Sequence, residues 1–256
     1  MGLENFIQKV RKAETPFYAG LNRFGKSVMR MDVPYIPVWH DFWYREQQLR
    51  INLWRNFWRA FYHQPLFRSR CTECGRNLFI YHSGQGLPWI EGKIDIRIGD
   101  NVRFYDRSAI AGLTVGRDPT LTIGDNTDVG APISIFVGDE VSIGSNCLIG
   151  CQLIADNPGH RRNYKERISE RVEVERIGKV IINDYVYTGQ YSLIVGNVTV
   201  GTGSIIAARA VVTKDVPPFC IAAGNPARIV KKMPFPDEMI EVVGEEQYRM
   251  YMEADV

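Results

Sequence analysis

Residues 181–212 read IINDYVYTGQYSLIVGNVTVGTGSIIAARAVV, and within them Ile182, Thr188, Ile194, Val200, Ile206 and Val212 fall six residues apart. That spacing fits neither the turn of an α-helix, about 3.6 residues, nor the alternation of a hairpin. It suits a solenoid whose triangular coil has three short flat sides. One residue per side points inward and stacks on its counterparts in the coils above and below. The spacing recurs upstream in Ile98, Phe104 and Ile110, in Ile123, Val129 and Ile135, and in Ile143 and Ile149. Glycine repeatedly follows the apolar position, as in Ile98-Gly99, Ile123-Gly124, Ile143-Gly144 and Val200-Gly201. These glycines, and Asp125-Asn126, Asn146 and Asn183 beside them, suit tight corners that call for a positive φ. A β-sandwich of short strands is the alternative, but its strands would not hold one spacing through six successive units.

Around this repeat the chain divides into 1–70, a helical segment rich in aromatic and basic residues; 71–91, a connector; 92–232, the solenoid; and 233–256, a helical cap. The repeat is broken once, between Leu153 and Ile177, by a polar, charged stretch that reads as a loop (153–177) leaving the coil, although a disordered insertion would look the same. From Pro236 to Glu253 the pattern predicts a short helix with Met239, Ile240, Val243, Tyr248 and Met252 partly buried. Such caps close the open end of a solenoid. In the N-terminal segment a helix is expected from about Asp41 to Tyr62, with Leu49, Leu53, Trp54, Phe57, Trp58 and Phe61 on one side. Arg45, Arg55 and Arg59 interleave with them. This is the composition of a helix lying in a membrane interface, and equally of one packed on the solenoid or a neighbouring subunit.

Over 256 residues the formal net charge is +2, which gives no case for nucleic acid. Five cysteines, an odd number, argue for a reducing compartment rather than a disulfide framework. Charges occupy the N-terminus where a signal peptide needs an apolar run, and no stretch of about 18 apolar residues exists to span a bilayer. The expectation is a cytoplasmic protein, with peripheral contact at the inner face of the membrane left open. Cys71-Thr-Glu-Cys74 is half of a zinc knuckle, with His63 and His82 nearby; two free thiols at a tight turn are the plainer reading, and no metal is expected.

Val212-Thr213-Lys214-Asp215-Val216-Pro217 and Gly224-Asn225-Pro226-Ala227-Arg228, together with the repeat over roughly 92–232, resemble the hexapeptide-repeat acyltransferases, among them sugar and polysaccharide-biosynthesis O-acetyltransferases. The resemblance implies an all-β solenoid, a left-handed parallel β-helix, assembled as a homotrimer in which acetyl-CoA lies in a groove between adjacent β-helices. It implies a CoA-dependent O-acetyltransferase acting on a sugar or glycan hydroxyl, with a histidine base on the loop that leaves the coil. His160, in Asp156-Asn157-Pro158-Gly159-His160, stands in that place and is the only histidine in the solenoid region. Asp156 is the candidate to orient it or to bind the acceptor, with capping of the turn as the alternative. A backbone N–H near Gly189-Gln190 would meet the oxyanion, and amides around Ala207 and Ala208 the pantetheine arm. Lys214, Arg228 and residues of the Asn225 turn fall on the side of the CoA phosphates.

The chain departs from the family pattern at Tyr187-Thr188, where a Trp-Ile corner is usual, and at Arg209, which would either reach a phosphate or crowd the groove. No acceptor-side asparagine appears near Ala131-Pro132. Cys147, Cys151 and Cys220 read as small apolar fillers rather than nucleophiles. A γ-class carbonic anhydrase, built on the same repeat, would need three histidine ligands that the solenoid lacks. A non-catalytic trimeric scaffold recruiting a partner through its N-terminal segment is the competing class of answer.

Overall fold

The computed structural model describes residues 3–81, 86–113, 118–130, 132–157, 163–165 and 176–255. The chain divides into two compact units, Met1–Asn52 and Leu53–Val256.

The first unit is helical: Leu3–Lys12, Pro16–Met29 and the start of a helix that runs from Pro37 to Trp58. Thr15 caps the second of these, its hydroxyl accepting from the Tyr18 N–H at 3.4 Å. The third begins four residues earlier than the expected Asp41, because Pro37 supplies the preset φ and missing N–H that a first helical turn tolerates. After Trp58 the backbone widens to a π-helical turn over Arg59–His63 before Gln64–Arg68.

The second unit is the solenoid, and three sheets form its sides. The first contains Glu73–Cys74, Asp95–Ile98, Thr120–Ile123, Glu140–Ile143, Lys179–Ile182 and Val198–Val200. The second contains Phe79–Tyr81, Arg103–Tyr105, Asp128–Val129, Leu148–Ile149, Tyr187–Thr188, Ile205–Ile206, Cys220–Gly224 and Ala227–Lys232. The third contains Trp89–Glu91, Ala109–Gly112, Ser134–Val137, Leu153–Ala155, Leu193–Val195 and Val211–Val212. Every neighbouring pair is parallel except the final hairpin, Cys220–Gly224 with Ala227–Lys232. This is a left-handed parallel β-helix. The register places Ile98, Ile123, Ile143, Ile182 and Val200 in one inward column; Phe104, Val129, Ile149, Thr188 and Ile206 in a second; Ile110, Ile135, Ile154, Ile194 and Val212 in a third. All are buried. At about 1.5–3 kcal/mol for each buried aliphatic side chain, these columns are what hold the coils together.

Residues 71–91 are not a connector. Glu73–Cys74, Phe79–Tyr81 and Trp89–Glu91 each pair in parallel with the coil above, so they form the first coil. Their spacing is irregular, which hides them from a six-residue pattern. Phe67 closes this end, its ring 5.8 Å from that of Phe104. At the other end the expected cap is a 3₁₀ turn, Asp237–Met239, leading into a helix over Ile240–Glu253 that bends at Gly244, φ 79°. Val243 is buried, but Ile240 and Met252 are exposed, contrary to the helical pattern; the bend at Gly244 puts Met252 out of phase with Val243. Gln247 accepts from the Thr202 N–H at 3.0 Å, and Phe235 packs among Phe219, Tyr248 and Tyr251.

The corners correct the reading of the glycines. Gly99, Gly124 and Gly144 do not carry positive φ; the left-handed residues are Asn101, Asn126 and Asn146, two positions on. The glycines are required by closeness: a Cβ on Gly124 would lie 2.7 Å from the Gly144 carbonyl carbon of the next coil. Asn183 is likewise not the left-handed residue of its corner, which is Tyr185 at φ 59°.

Candidate functional site

The predicted residues separate onto two edges of the triangle. On the edge between the second and third sheets, Gly189-Gln190, Ala207-Ala208-Arg209 and Gly224-Asn225 occupy three successive coils, as the pairing of Ile206 with Thr188 below and Ala222 above dictates. Their closeness has a steric cause. A Cβ on Gly189 would come within 2.5 Å of the Ala208 nitrogen, so glycine lets the coils touch here. Tyr191 and Arg209 take the same place in the turn, at φ 60° and 61°. Arg209 donates its N–H to the Gln190 carbonyl at 3.0 Å, and its side chain is exposed.

The N–H groups on this edge are unequal. That of Gly189 is given to the Ile206 carbonyl at 2.7 Å, and that of Ala207 to the Ala222 carbonyl at 2.8 Å. Among the described residues those of Gln190 and Ala208 donate to nothing, and both residues are exposed. Of the pair Gly189-Gln190, then, Gln190 holds the unspent N–H, and one coil on Ala208 holds the other. One coil below, a cleft of about 360 Å³ is lined by Pro132, Gly150, Gln152, Gln190 and Tyr191. Tyr191 and Gln152 carried no signal in the six-residue pattern, since both are outward residues. Arg228 pairs with Ala223 beside this edge; its exposed guanidinium donates to the Ala227 carbonyl at 2.8 Å.

Thr188, a departure from the family pattern, has a structural use. It stands in the inward column with no exposure, and its hydroxyl accepts from the N–H groups of Gly150 at 2.9 Å and Cys151 at 3.1 Å. An isoleucine there would leave those donors without this acceptor. The neighbouring Tyr187 is outward and half exposed.

Asp156 and Lys214 lie on the next edge, where the third sheet turns into the first. Asp156 is fully buried. Its carboxylate accepts from the N–H groups of Gly138 at 2.6 Å, Asp139 at 2.8 Å and Glu140 at 2.9 Å, and from the Asn157 side-chain amide at 3.0 Å. Burial raises its pKa above the ordinary carboxylate value, and these donors, Asn157 first, pull it back down. With four donors converging on it, Asp156 caps the turn of the coil below rather than offering an oxygen to an acceptor. Strand Leu153–Ala155 belongs to the coil and Gly178 donates to the Asp156 carbonyl at 2.8 Å, so the excursion is shorter than 153–177. His160 lies outside the described residues, as do Ala131 and His82. Lys214 is exposed, beside Asp215, which accepts from the Thr199 N–H at 2.7 Å.

The cysteines do not offer nucleophiles. Burial pushes Cys151 up to about 12 and Cys147 up to about 11, so both stay protonated near neutrality. Burial likewise pushes Cys71 up to about 12. Among the described residues no three His, Cys, Asp or Glu side chains gather as a metal site.

No family model matches the chain. It is 35% identical over 120 residues to a chloramphenicol acetyltransferase of Agrobacterium fabrum, an alignment covering 41% of this chain and 57% of that one. A probable macrolide acetyltransferase of Lysinibacillus sphaericus is 36% identical over 121 residues, 41% of this chain and 67% of the relative. Among solved structures, a hexapeptide-repeat acetyltransferase of Vibrio cholerae superposes with a TM-score of 0.47 at 22% identity, covering 75% of this chain and 91% of that one. The chain spans somewhat over half the length of the first curated relatives it matches, 57% and 59%.

Proposed function

The chain belongs to the hexapeptide-repeat acyltransferases, and from that footing we propose that it moves an acetyl group from acetyl-CoA to a hydroxyl of a sugar, in the making of a surface polysaccharide or other glycan on the cytoplasmic side. The observation that carries this reading is the edge between the second and third sheets. There two exposed, undonated N–H groups, of Gln190 and Ala208, stand on successive coils beside small residues and an open cleft.

A sugar hydroxyl is almost wholly protonated at neutral pH, so attack on a thioester needs a base that takes its proton as the C–O bond forms. His160 is that base, because imidazole is the side chain that exchanges a proton near neutrality. The hydroxyl oxygen adds to the thioester carbonyl, and the resulting oxyanion is met by the Gln190 N–H. Collapse breaks the C–S bond, and the CoA thiolate takes the proton from His160. Arg209 and Arg228 serve the phosphates of the donor on this edge, with Asn225 closing the hairpin beside them, and Lys214 reaches the donor from the loop edge of a neighbouring copy.

The separation of the two edges favours an assembly of more than one copy. The loop bearing His160 starts at Asp156, on one side of the third sheet, and the donor residues lie on its other side. Side by side, copies bring one chain's loop edge to another's donor edge, as in a homotrimer. The third sheet between them turns Leu153, Leu193 and Val211 outward in one row, which favours such packing.

Titration calorimetry with acetyl-CoA tests the reading. Micromolar binding, weakened at least tenfold in Arg209→Ala, is the expected result. If the wild type does not bind and Arg209→Ala does, Arg209 blocks the groove and the non-catalytic scaffold is the better account.

A further inference from the structure

Acyl transfer makes no use of the N-terminal helices, whose surface is unlike the rest of the molecule. Residues 1–70 carry twelve Lys and Arg against five Asp and Glu, a surplus of seven, whereas the whole chain has a surplus of two. The remainder is therefore net acidic, and the basic charge is concentrated where the aromatic residues are. Four of the five tryptophans, Trp39, Trp43, Trp54 and Trp58, lie on the single helix Pro37–Trp58.

That helix has a bare apolar side. Trp39, Phe42, Trp43, Leu49, Leu53, Trp54 and Phe57 fall on one face at helical spacing, and each is exposed, Trp39 at 58% and Trp54 at 62%. Rings pair along it at i and i+4, Trp39 with Trp43 at 5.8 Å and Trp54 with Trp58 at 5.5 Å. Arg45 flanks this face and Arg55 falls on the far side, both long enough to bend their guanidinium groups toward an interface. On the helix Pro16–Met29, Phe17, Phe24 and Val28 form a second exposed stripe. Arg23, Lys26 and Arg30 there border a cleft of about 420 Å³ completed by Ser27 and Met31. No described helix is long and apolar enough to cross a membrane.

We infer that these helices dock on an anionic phospholipid surface, lying in its plane with the tryptophan face at the headgroup–acyl boundary and Arg23, Lys26 and Arg30 on lipid phosphates. Charge complementarity selects this occupant over a protein groove. The same helices of a second copy would bury the aromatic face but would set a second surplus of seven positive charges against the first, whereas an anionic leaflet meets both the face and the charge. The inference is independent of acyl transfer and would stand if that reading failed.

The test uses the full chain and sedimentation with vesicles of phosphatidylcholine alone or with about a third of phosphatidylserine. Because four of the five tryptophans sit on the helix, their emission reports it directly. Binding to the serine-containing vesicles at low salt with a blue shift of emission is expected, weakened at least tenfold by raised salt or by neutral vesicles. Trp39→Glu with Trp43→Glu removes binding while circular dichroism and thermal melting stay as in the wild type. Arg23→Glu, Lys26→Glu and Arg30→Glu together weaken it at least tenfold. The inference is overturned by no binding at low salt. It is overturned equally by emission already blue without lipid in a lipid-insensitive oligomer, which would mean that a second copy covers the face.

Discussion

At the corner after the first sheet, Asn77, Asn101, Asn126 and Asn146 sit at φ 55–57° and pass a hydrogen bond from coil to coil, Nδ2 to Oδ1, at 3.0, 2.9 and 3.3 Å. A second ladder runs beside it: the N–H groups of Arg76, Asp100, Asp125 and Ser145 donate to Asp100, Asp125, Ser145 and Asp184 at 2.6–3.0 Å. At the corner after the second sheet, Tyr191 and Arg209 turn through the same left-handed backbone, but no side-chain ladder links them. There the N–H groups of Gln190 and Ala208 are left over. One corner uses its polar groups to join coils, and at the other two N–H groups stay unspent. Tyr191 and Arg209 also forgo the local hydrogen bonding that makes asparagine tolerant of this conformation, which costs other residues about 1–2 kcal/mol.

The largest expected effect separates the chemistry from both corners. His160→Ala should slow acetyl transfer by about 10²–10⁴ while leaving acetyl-CoA affinity unchanged, since a base acts on the transition state. The wild-type rate should rise with pH as the imidazole loses its proton and level off once it is neutral. Unaltered turnover in the variant would place the base elsewhere.

A pair of glycine substitutions sets one corner against the other. A Cβ meets backbone of the next coil at 2.5 Å from Gly189 and at 2.7 Å from Gly124. Gly189→Ala and Gly124→Ala should each lower stability by about 1–3 kcal/mol in denaturant melts. Only Gly189→Ala should also weaken acetyl-CoA binding in calorimetry. If both variants lose affinity alike, the difference between the corners is structural and not functional.

The smallest effects have opposite signs. Asn126→Ala loses two ladder bonds and forces alanine into a left-handed turn, so stability should fall by about 1–2 kcal/mol with donor affinity intact. Arg209→Gly relieves the same conformation and should gain about 0.5–1 kcal/mol while binding acetyl-CoA more weakly. Thermal melting and calorimetry together read both.

Much of the coil was legible because an inward column leaves its period in the chain. Ile182, Ile194, Val200, Ile206 and Val212 announce their places, and even Thr188 keeps step. What failed were assignments that depend on the coil above. Glycine suggested a positive φ, whereas a neighbouring coil's backbone excludes its Cβ; Asn183 resembled its counterparts, whereas Tyr185 takes the left-handed turn. Asp156 admitted both a catalytic and a capping reading, and the N–H groups that reach it from residues 138–140 of the coil below are contacts no local spacing could reveal.

By itself, then, the sequence determined the repeat, the inward columns and the residues that resemble a donor site, because burial every sixth residue is a local, one-dimensional property. The tertiary structure decided which edge each residue occupies and which N–H groups remain unspent. Those depend on the register between coils some twenty to forty residues apart, as Thr188 with Gly150 shows, and no local spacing carries that information.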